Sequence, residues 1–244
     1  TSGPERLRML RFLGAVDPDI ARQIVKELAL TRKGQKTRRA EVRAVETVKL
    51  TKKEYQFEIS TSGVRAKQLT LNDFGRVAQA TVEIMKAKSK GTPLTVGVAY
   101  DARPTSKGFA DRVAETAAAN DATVLYIEGD PSPTPFAGFA GSADKNIAIV
   151  LQITASHNPL EWNGTKFLVN GWPAPDYLVK EILAQANQLE SYKHAPLVEL
   201  KAQGKIKTLD PAADYEARLD RVFKLDELKK KIDAFKSQNP DFAL

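Results

Sequence analysis

The 244-residue chain is expected to be an α/β protein: a mixed, largely parallel sheet flanked by helices, preceded by a basic helical N-terminal extension. Three observations predict this. Helix-period patterns alternate with short apolar runs through the central part of the chain, the sign of an α/β layer with substantial parallel pairing. One run, Ile147–Ile153, is apolar nearly throughout, as a strand covered on both faces must be. Charge is unevenly divided: residues 1–50 hold 12 Lys/Arg and 6 Asp/Glu, whereas the rest holds 25 and 24, so the net charge of +7 is almost wholly N-terminal.

Taken in order, Leu7, Leu10, Phe12, Leu13, Ile20, Ile24, Val25 and Leu28 predict two short amphipathic helices. They are interrupted near Gly14 and restarted after Asp17-Pro18, where proline suits a first helical turn. Thr31–Arg43 is polar and basic and reads as a linker, which sets a boundary near residue 50. Tyr55–Ile59 alternates like a half-buried strand, and Ser60–Gly63 ends it in a loop. Thr70 caps a helix over 71–86, with Asp73 placed in its first turn. A strand over 94–100, a helix over 106–120 and a strand over 122–127 follow. Pro131–Pro135 is a rigid turn leading into a short helix through Phe136 and Phe139. After the buried strand and a turn-rich stretch, residues 175–189 form another amphipathic helix. Residues 191–206 read as a connection, and Asp210–Ile232 is again helical and charged. The expected domains are therefore a 1–50 extension, a 51–206 body and a 207–244 segment opening a further domain.

Composition narrows the class. At 42% hydrophobic and 27% charged residues, the chain has the make-up of a folded globular protein. Without cysteine it has no disulfide framework and no thiolate metal site. It has no apolar stretch approaching the roughly 20 residues that span a bilayer, and Thr1–Leu10 is charged where a signal peptide is apolar. A cytoplasmic protein without a membrane partner is expected. The basic segment offers one aromatic, Phe12, so nucleic acid is not an expected partner.

In open α/β sheets, ligands collect beyond the carboxyl ends of the strands. Past Ile153 comes Thr154-Ala155-Ser156-His157-Asn158-Pro159, followed by Asn163-Gly164-Thr165-Lys166. A serine beside a histidine on a tight loop can act as a nucleophile or phosphoryl carrier. Spacing alone favours a plain turn, since Asn-Pro initiates turns. The string nevertheless resembles the signature loop of the alpha-D-phosphohexomutases, the phosphoglucomutase, phosphomannomutase and phosphoglucosamine mutase group. Three further stretches resemble the family in order: Thr61-Ser62-Gly63-Val64-Arg65, Tyr100-Asp101-Ala102-Arg103-Pro104-Thr105-Ser106 and Pro133-Thr134-Pro135.

The resemblance implies that Ser156 carries the phosphoryl group and that its phosphate oxygen is one ligand of Mg²⁺. His157 and Lys166 stand as candidates for proton transfer and charge stabilisation, and Arg65 approaches the phosphoserine from the first loop. A sugar phosphate is the implied substrate, with a hexose 1,6-bisphosphate as intermediate. Arg65 reads equally as a loop-anchoring ion pair. Asp101 and Arg103 read as a structural pair, His194 as a residue without a role, and Trp162 and Trp172 as packing or rim residues. The family usually has glycine where this chain has Ser60 and Ala66, which puts the first loop's shape in question. Members have four domains. The acidic metal loop, the sugar-recognition loop and the distal phosphate loop are not in this sequence, so the chain reads as an enzyme portion that needs the remaining mutase domains and is inactive alone. The alternative is a non-catalytic scaffold that binds an anionic partner through its basic N-terminus.

Overall fold

A computed structural model describes residues 45–50, 55–58, 63–89, 91–127 and 131–240. The expected N-terminal helices and linker lie outside these residues, as do Ser60, Thr61 and Ser62. The strands are β1 (Glu46–Lys49), β2 (Gly63–Ala66), β3 (Thr95–Tyr100), β4 (Thr123–Ile127), β5 (Ile147–Ile153), β6 (Asn163–Val169), β7 (Trp172–Pro173), β8 (Ser191–His194) and β9 (Ile206–Leu209). The helices are α1 (Leu71–Lys88), α2 (Ser106–Ala119), α3 (Thr134–Ala143), α4 (Asp176–Gln188), α5 (Leu197–Ala202), α6 (Ala212–Phe223) and α7 (Leu225–Gln238).

The main sheet runs β2-β6-β5-β3-β4-β9, with β7 added beside β6. Pairing is parallel for β3 with β4 and β5 and for β4 with β9, and antiparallel wherever β6 is a partner. This is the mixed, largely parallel sheet expected. Side chains of β5 divide between its two faces: Ile149, Leu151 and Ile153 enter the core with α1, α2 and α4, while Val150 and, before a shift in register with β3, Ile147 enter a smaller core with α3.

Helix α1 begins as its sequence predicts. The Thr70 hydroxyl accepts from the Asp73 amide, and the Asp73 carboxylate accepts from the Thr70 amide at 2.9 Å, a reciprocal capping box. Asp73 also pairs with Arg76, and both are 1% exposed. Arg76 donates further to the carbonyls of Tyr55 and Ala186, so this buried ion pair ties the start of α1 to the chain before β2 and to α4.

Four expectations are corrected. Residues 55–58 are not a strand. The Phe57 amide and carbonyl are taken by the Asn187 side chain at 2.9 and 3.1 Å, which leaves no backbone groups for a ladder. The 191–206 stretch is not a plain connection: it holds β8, α5 and the start of β9, because Tyr192 and Leu200 are core residues. The 210–232 pattern is two helices, broken where Lys224 takes a left-handed backbone. Finally, β1 falls on the N-terminal side of the expected boundary at 50 but pairs antiparallel with β8, and the compact unit starts at Ala44.

Candidate functional site

The site grows from the end of β5. There the chain leaves the sheet, makes the 154–162 loop and returns antiparallel as β6, with the Thr154 amide donating to the Gly164 carbonyl at 3.0 Å. Residues 149–153 are fully buried, whereas Ser156 and His157 are exposed. The serine thus stands in solvent on the rim of the sheet's most buried strand.

Two hydrogen bonds bend the loop at Ser156. The Thr154 hydroxyl accepts from the Ser156 amide at 2.8 Å, and the Ala155 carbonyl accepts from the Asn158 amide at 3.2 Å. Ser156 has φ +60°, and His157 is not among the positive-φ residues. Those signs follow a type II′ turn, whose first central residue is normally glycine. A non-glycine residue held there costs about 1–3 kcal/mol, which the surrounding structure must offset.

The surroundings centre on Asp101 and Arg103, at the end of neighbouring β3. Arg103, 8% exposed, pairs with Asp101 at 3.1 Å. It also donates to the carbonyls of Ser156 (3.0 Å), Asn158 (2.6 Å), Pro159 (2.6 Å) and Trp162 (3.1 Å). The Asp101 carboxylate accepts from the hydroxyls of Thr154 and Ser106, both at 2.6 Å. Asn163, buried at the far end of the loop, donates to Thr105 and Ser106 while accepting from the Gly164 amide. The expected structural pair of Asp101 and Arg103 is present, and its partner is the loop itself. Sequence reasoning missed the parts played by Thr154, Asn163 and these two residues. A carboxylate and an arginine two positions apart after a strand carry no mark of which distant carbonyls they will meet.

Arg65 and Lys166 are brought together by strand register. Arg65 on β2 lies opposite Gly164, and Lys166 on β6 lies opposite Gly63. Each cation therefore has a glycine as its cross-strand neighbour, and both sit on the same face of this ladder. A Cβ at Gly63 would collide with the Thr165 carbonyl, and one at Gly164 with the Val64 carbonyl, so the close approach of β2 to β6 requires glycine at both positions. The expected difficulty at Ala66 does not arise: it lies in β2 with extended backbone, where glycine's freedom is unnecessary. Lys166 is half-buried, and its pKa is lowered first by burial and then by the positive charge of Arg65. Across β6, Lys166 is also the register partner of Gln152, whose amide nitrogen donates to the Ser132 carbonyl at 2.9 Å.

Among the other residues singled out, Trp172 is 76% exposed on the β7 turn. Trp162 is partly covered and lies under Lys67, 5.8 Å from its ring centre. His194 is not in a featureless connection. It sits on β8, 3.9 Å from Glu46 and 3.8 Å from Glu115, far along the chain from the loop. Among the described residues no group of three or more His, Asp or Glu side chains could hold a metal ion.

The family model for phosphoglucomutase/phosphomannomutase, alpha/beta/alpha domain I, matches residues 57–193. The chain belongs to the phosphoglucomutase/phosphomannomutase family. The matched span runs from just before β2 to β8 and contains Arg65, Ser156, His157 and Lys166. A relative in Marchantia polymorpha, Phosphoglucomutase 1, chloroplastic, is 29% identical over 189 residues, covering 69% of this chain and 28% of its own length. A proposed phosphomannomutase of Thermus thermophilus superposes with a TM-score of 0.57 at 28% identity, covering 68% of this chain and 36% of its own. The open form of pp63/parafusin, a phosphoglucomutase from Paramecium, gives 0.64 at 21% identity, covering 76% and 38%, a likeness of fold. The chain thus spans between a quarter and two-fifths of the length of these mutase-family relatives. No helix among the described residues is long and apolar enough to cross a membrane.

Proposed function

We propose that this chain is the phosphoserine-bearing portion of a phosphohexomutase, an intramolecular phosphotransferase that interconverts hexose or hexosamine 1- and 6-phosphates. The observation that carries the reading is the exposure of Ser156 on a loop bent to positive φ at the carboxyl end of the most buried strand. Thr154 at the root of that loop pairs with Gly164, the cross-strand neighbour of Arg65.

Phosphoryl transfer asks little covalent work of a protein and much positioning and cationic charge. In the proposed cycle a sugar hydroxyl attacks the seryl phosphate. The new sugar O–P bond forms as the Ser156 O–P bond breaks, the hydroxyl proton leaves to a base, and the seryl oxygen takes a proton from an acid. The resulting bisphosphate then returns its other phosphoryl group to Ser156, so the net change is isomerisation. Lys166 and Arg65 offset the phosphate charge, roughly −1.5 to −2 near neutral pH. The depressed pKa of Lys166 makes its ammonium a readier proton donor, and His157, exposed on the same turn, is the second candidate for proton transfer.

Magnesium is an expectation of the family that the described residues do not fit by themselves. A hard cation takes six or more oxygens, and no acidic cluster among these residues supplies them. The ligands, the sugar-recognition elements and the distal phosphate site are proposed to come from the remaining mutase domains, and no step above passes through the metal. A cytoplasmic location is likewise part of the proposal.

The test is intact-mass analysis, with peptide mapping, of the chain joined to its remaining mutase domains and incubated with a hexose 1,6-bisphosphate and Mg²⁺. Phosphate on Ser156, absent from S156A, is expected. A chain that stays unmodified under those conditions refutes the reading.

A further inference from the structure

We propose that Arg103 is a positioning residue for phosphoryl transfer: by gathering four loop carbonyls behind Ser156, it turns the loop's negative dipoles away from the phosphate and its cations. The inference rests on the phosphoserine reading above and adds a residue to it.

Residues 154–162 link two antiparallel strands and carry carbonyl oxygens with no ladder partners. A phosphate dianion on Ser156 is repelled by any of them that faces it. Arg103 removes the problem geometrically. Its guanidinium is held at 3.1 Å by Asp101 and reaches the oxygens of residues 156, 158, 159 and 162 between 2.6 and 3.1 Å. A planar fork of donors can serve several acceptors at once, whereas the compact ammonium of lysine cannot span them.

A second leg works on the amide side. Asp101 accepts from the Thr154 hydroxyl, and that hydroxyl in turn accepts from the Ser156 amide. One carboxylate–guanidinium pair therefore sets both the carbonyl and the amide of Ser156 and holds its φ at +60°. The pair lies at 8% and 21% side-chain exposure, shielded enough for these bonds to hold a fixed geometry. Arg103 does not need to touch the substrate, since its effect passes through the loop it shapes.

The experiment places phosphoserine genetically at position 156 of the whole chain and follows the phosphate by ³¹P NMR titration. Three proteins are compared: the parent sequence, R103K and K166M. The parent phosphate is expected to titrate below the value of about 6 for a free seryl phosphate, and K166M to raise it. R103K keeps the charge but not the fork, and it is expected to raise the value by about half a pH unit while thermal unfolding stays cooperative. A merely structural residue would alter the unfolding temperature and leave the phosphate titration in place.

If K166M moves the titration and R103K does not, the positioning role is wrong while the carrier reading survives. If the parent phosphate titrates like free phosphoserine and K166M changes nothing, the carrier reading itself is wrong. Should R103K fail to fold, the parent protein still decides: the Arg103 guanidinium ¹⁵N resonances are expected to shift as the phosphate titrates, and their indifference overturns the proposal.

Discussion

Replacing Ser156 by glycine is expected to make this protein more stable than replacing it by alanine, although both remove the proposed carrier hydroxyl. Ser156 holds φ +60°, a region that costs an L-residue about 1–2 kcal/mol and glycine almost nothing. Alanine keeps that cost. Its missing hydroxyl loses nothing, because the Ser156 side chain makes no hydrogen bond among the described residues, and the bond that matters runs from its backbone amide to Thr154. Glycine escapes the strain but enlarges the entropy of the unfolded chain, which offsets about 0.5–1 kcal/mol of the gain. The net expectation is S156G above S156A by about 0.5–1 kcal/mol. Urea denaturation reads this directly: with a slope of about 2–3 kcal/mol per molar for a unit of this size, the midpoints should differ by roughly 0.3 M at equal slope. An S156G midpoint at or below that of S156A refutes the claim that the turn stores strain at the proposed phosphate carrier.

Two further expectations concern titration. Lys166 has a folded pKa below 10.5, from burial and from Arg65, so between its folded value and 10.5 the unfolded chain binds more protons and stability rises with pH. K166M should abolish that rise in urea midpoints, and phosphorylating Ser156 should move the Lys166 ε-carbon titration upward; a Lys166 titration unmoved by phosphate would separate it from the site. His194 has a pKa lowered from 6.5, first by burial and then by Arg112, with Glu46 opposing. Its contribution is therefore present above 6.5 and lost as pH falls toward its folded value, whereas Glu115, raised from 4.5 mainly by burial, acts in the opposite sense across its own window. H194Q should flatten the loss between pH 7.5 and 5, as measured by urea midpoints, and an unchanged slope would rule this contribution out.

The fold was legible where one physical signal dominated. Ile147–Ile153 reads as a buried strand because six of its seven positions are apolar, and Thr70 reads as a cap because Asp73 stands three residues on. The signal failed where tertiary partners decided. Tyr55–Glu58 alternates like a strand, yet a single asparagine from α4 takes the backbone groups of Phe57. In residues 191–206 the apolar content is sparse, and Tyr192 becomes a core residue because it packs over Gly75, where any Cβ would strike its ring. For the site, the string around Ser156 was visible as residue types, and the register that gives Arg65 and Lys166 a glycine each was not. Register is a property of two strands, and sequence presents them 100 residues apart.

Arg76 and Arg103 show how to tell a structural cation from a functional one in this protein. Arg76 is buried against Asp73 and two carbonyls that belong to the start of the chain's body and to α4. Its bonds join elements that must be joined for α1 to pack. Arg103 is nearly as buried, but it directs its donors to a loop whose exposed serine sits in an unfavourable conformation. A loop that only had to connect β5 to β6 could relax that serine and face its carbonyls to water without penalty. Beyond it, Lys166 and Arg65 lie close enough for the charge of Arg65 to lower the pKa of Lys166. Strain at Ser156 and two like charges on the neighbouring β2–β6 ladder each lower the stability of the protein, and the Arg103 clamp offsets part of the strain. A single phosphate dianion on Ser156 would offset the charge repulsion and give the clamp and the strain a purpose, which is why the three features are better explained together than apart.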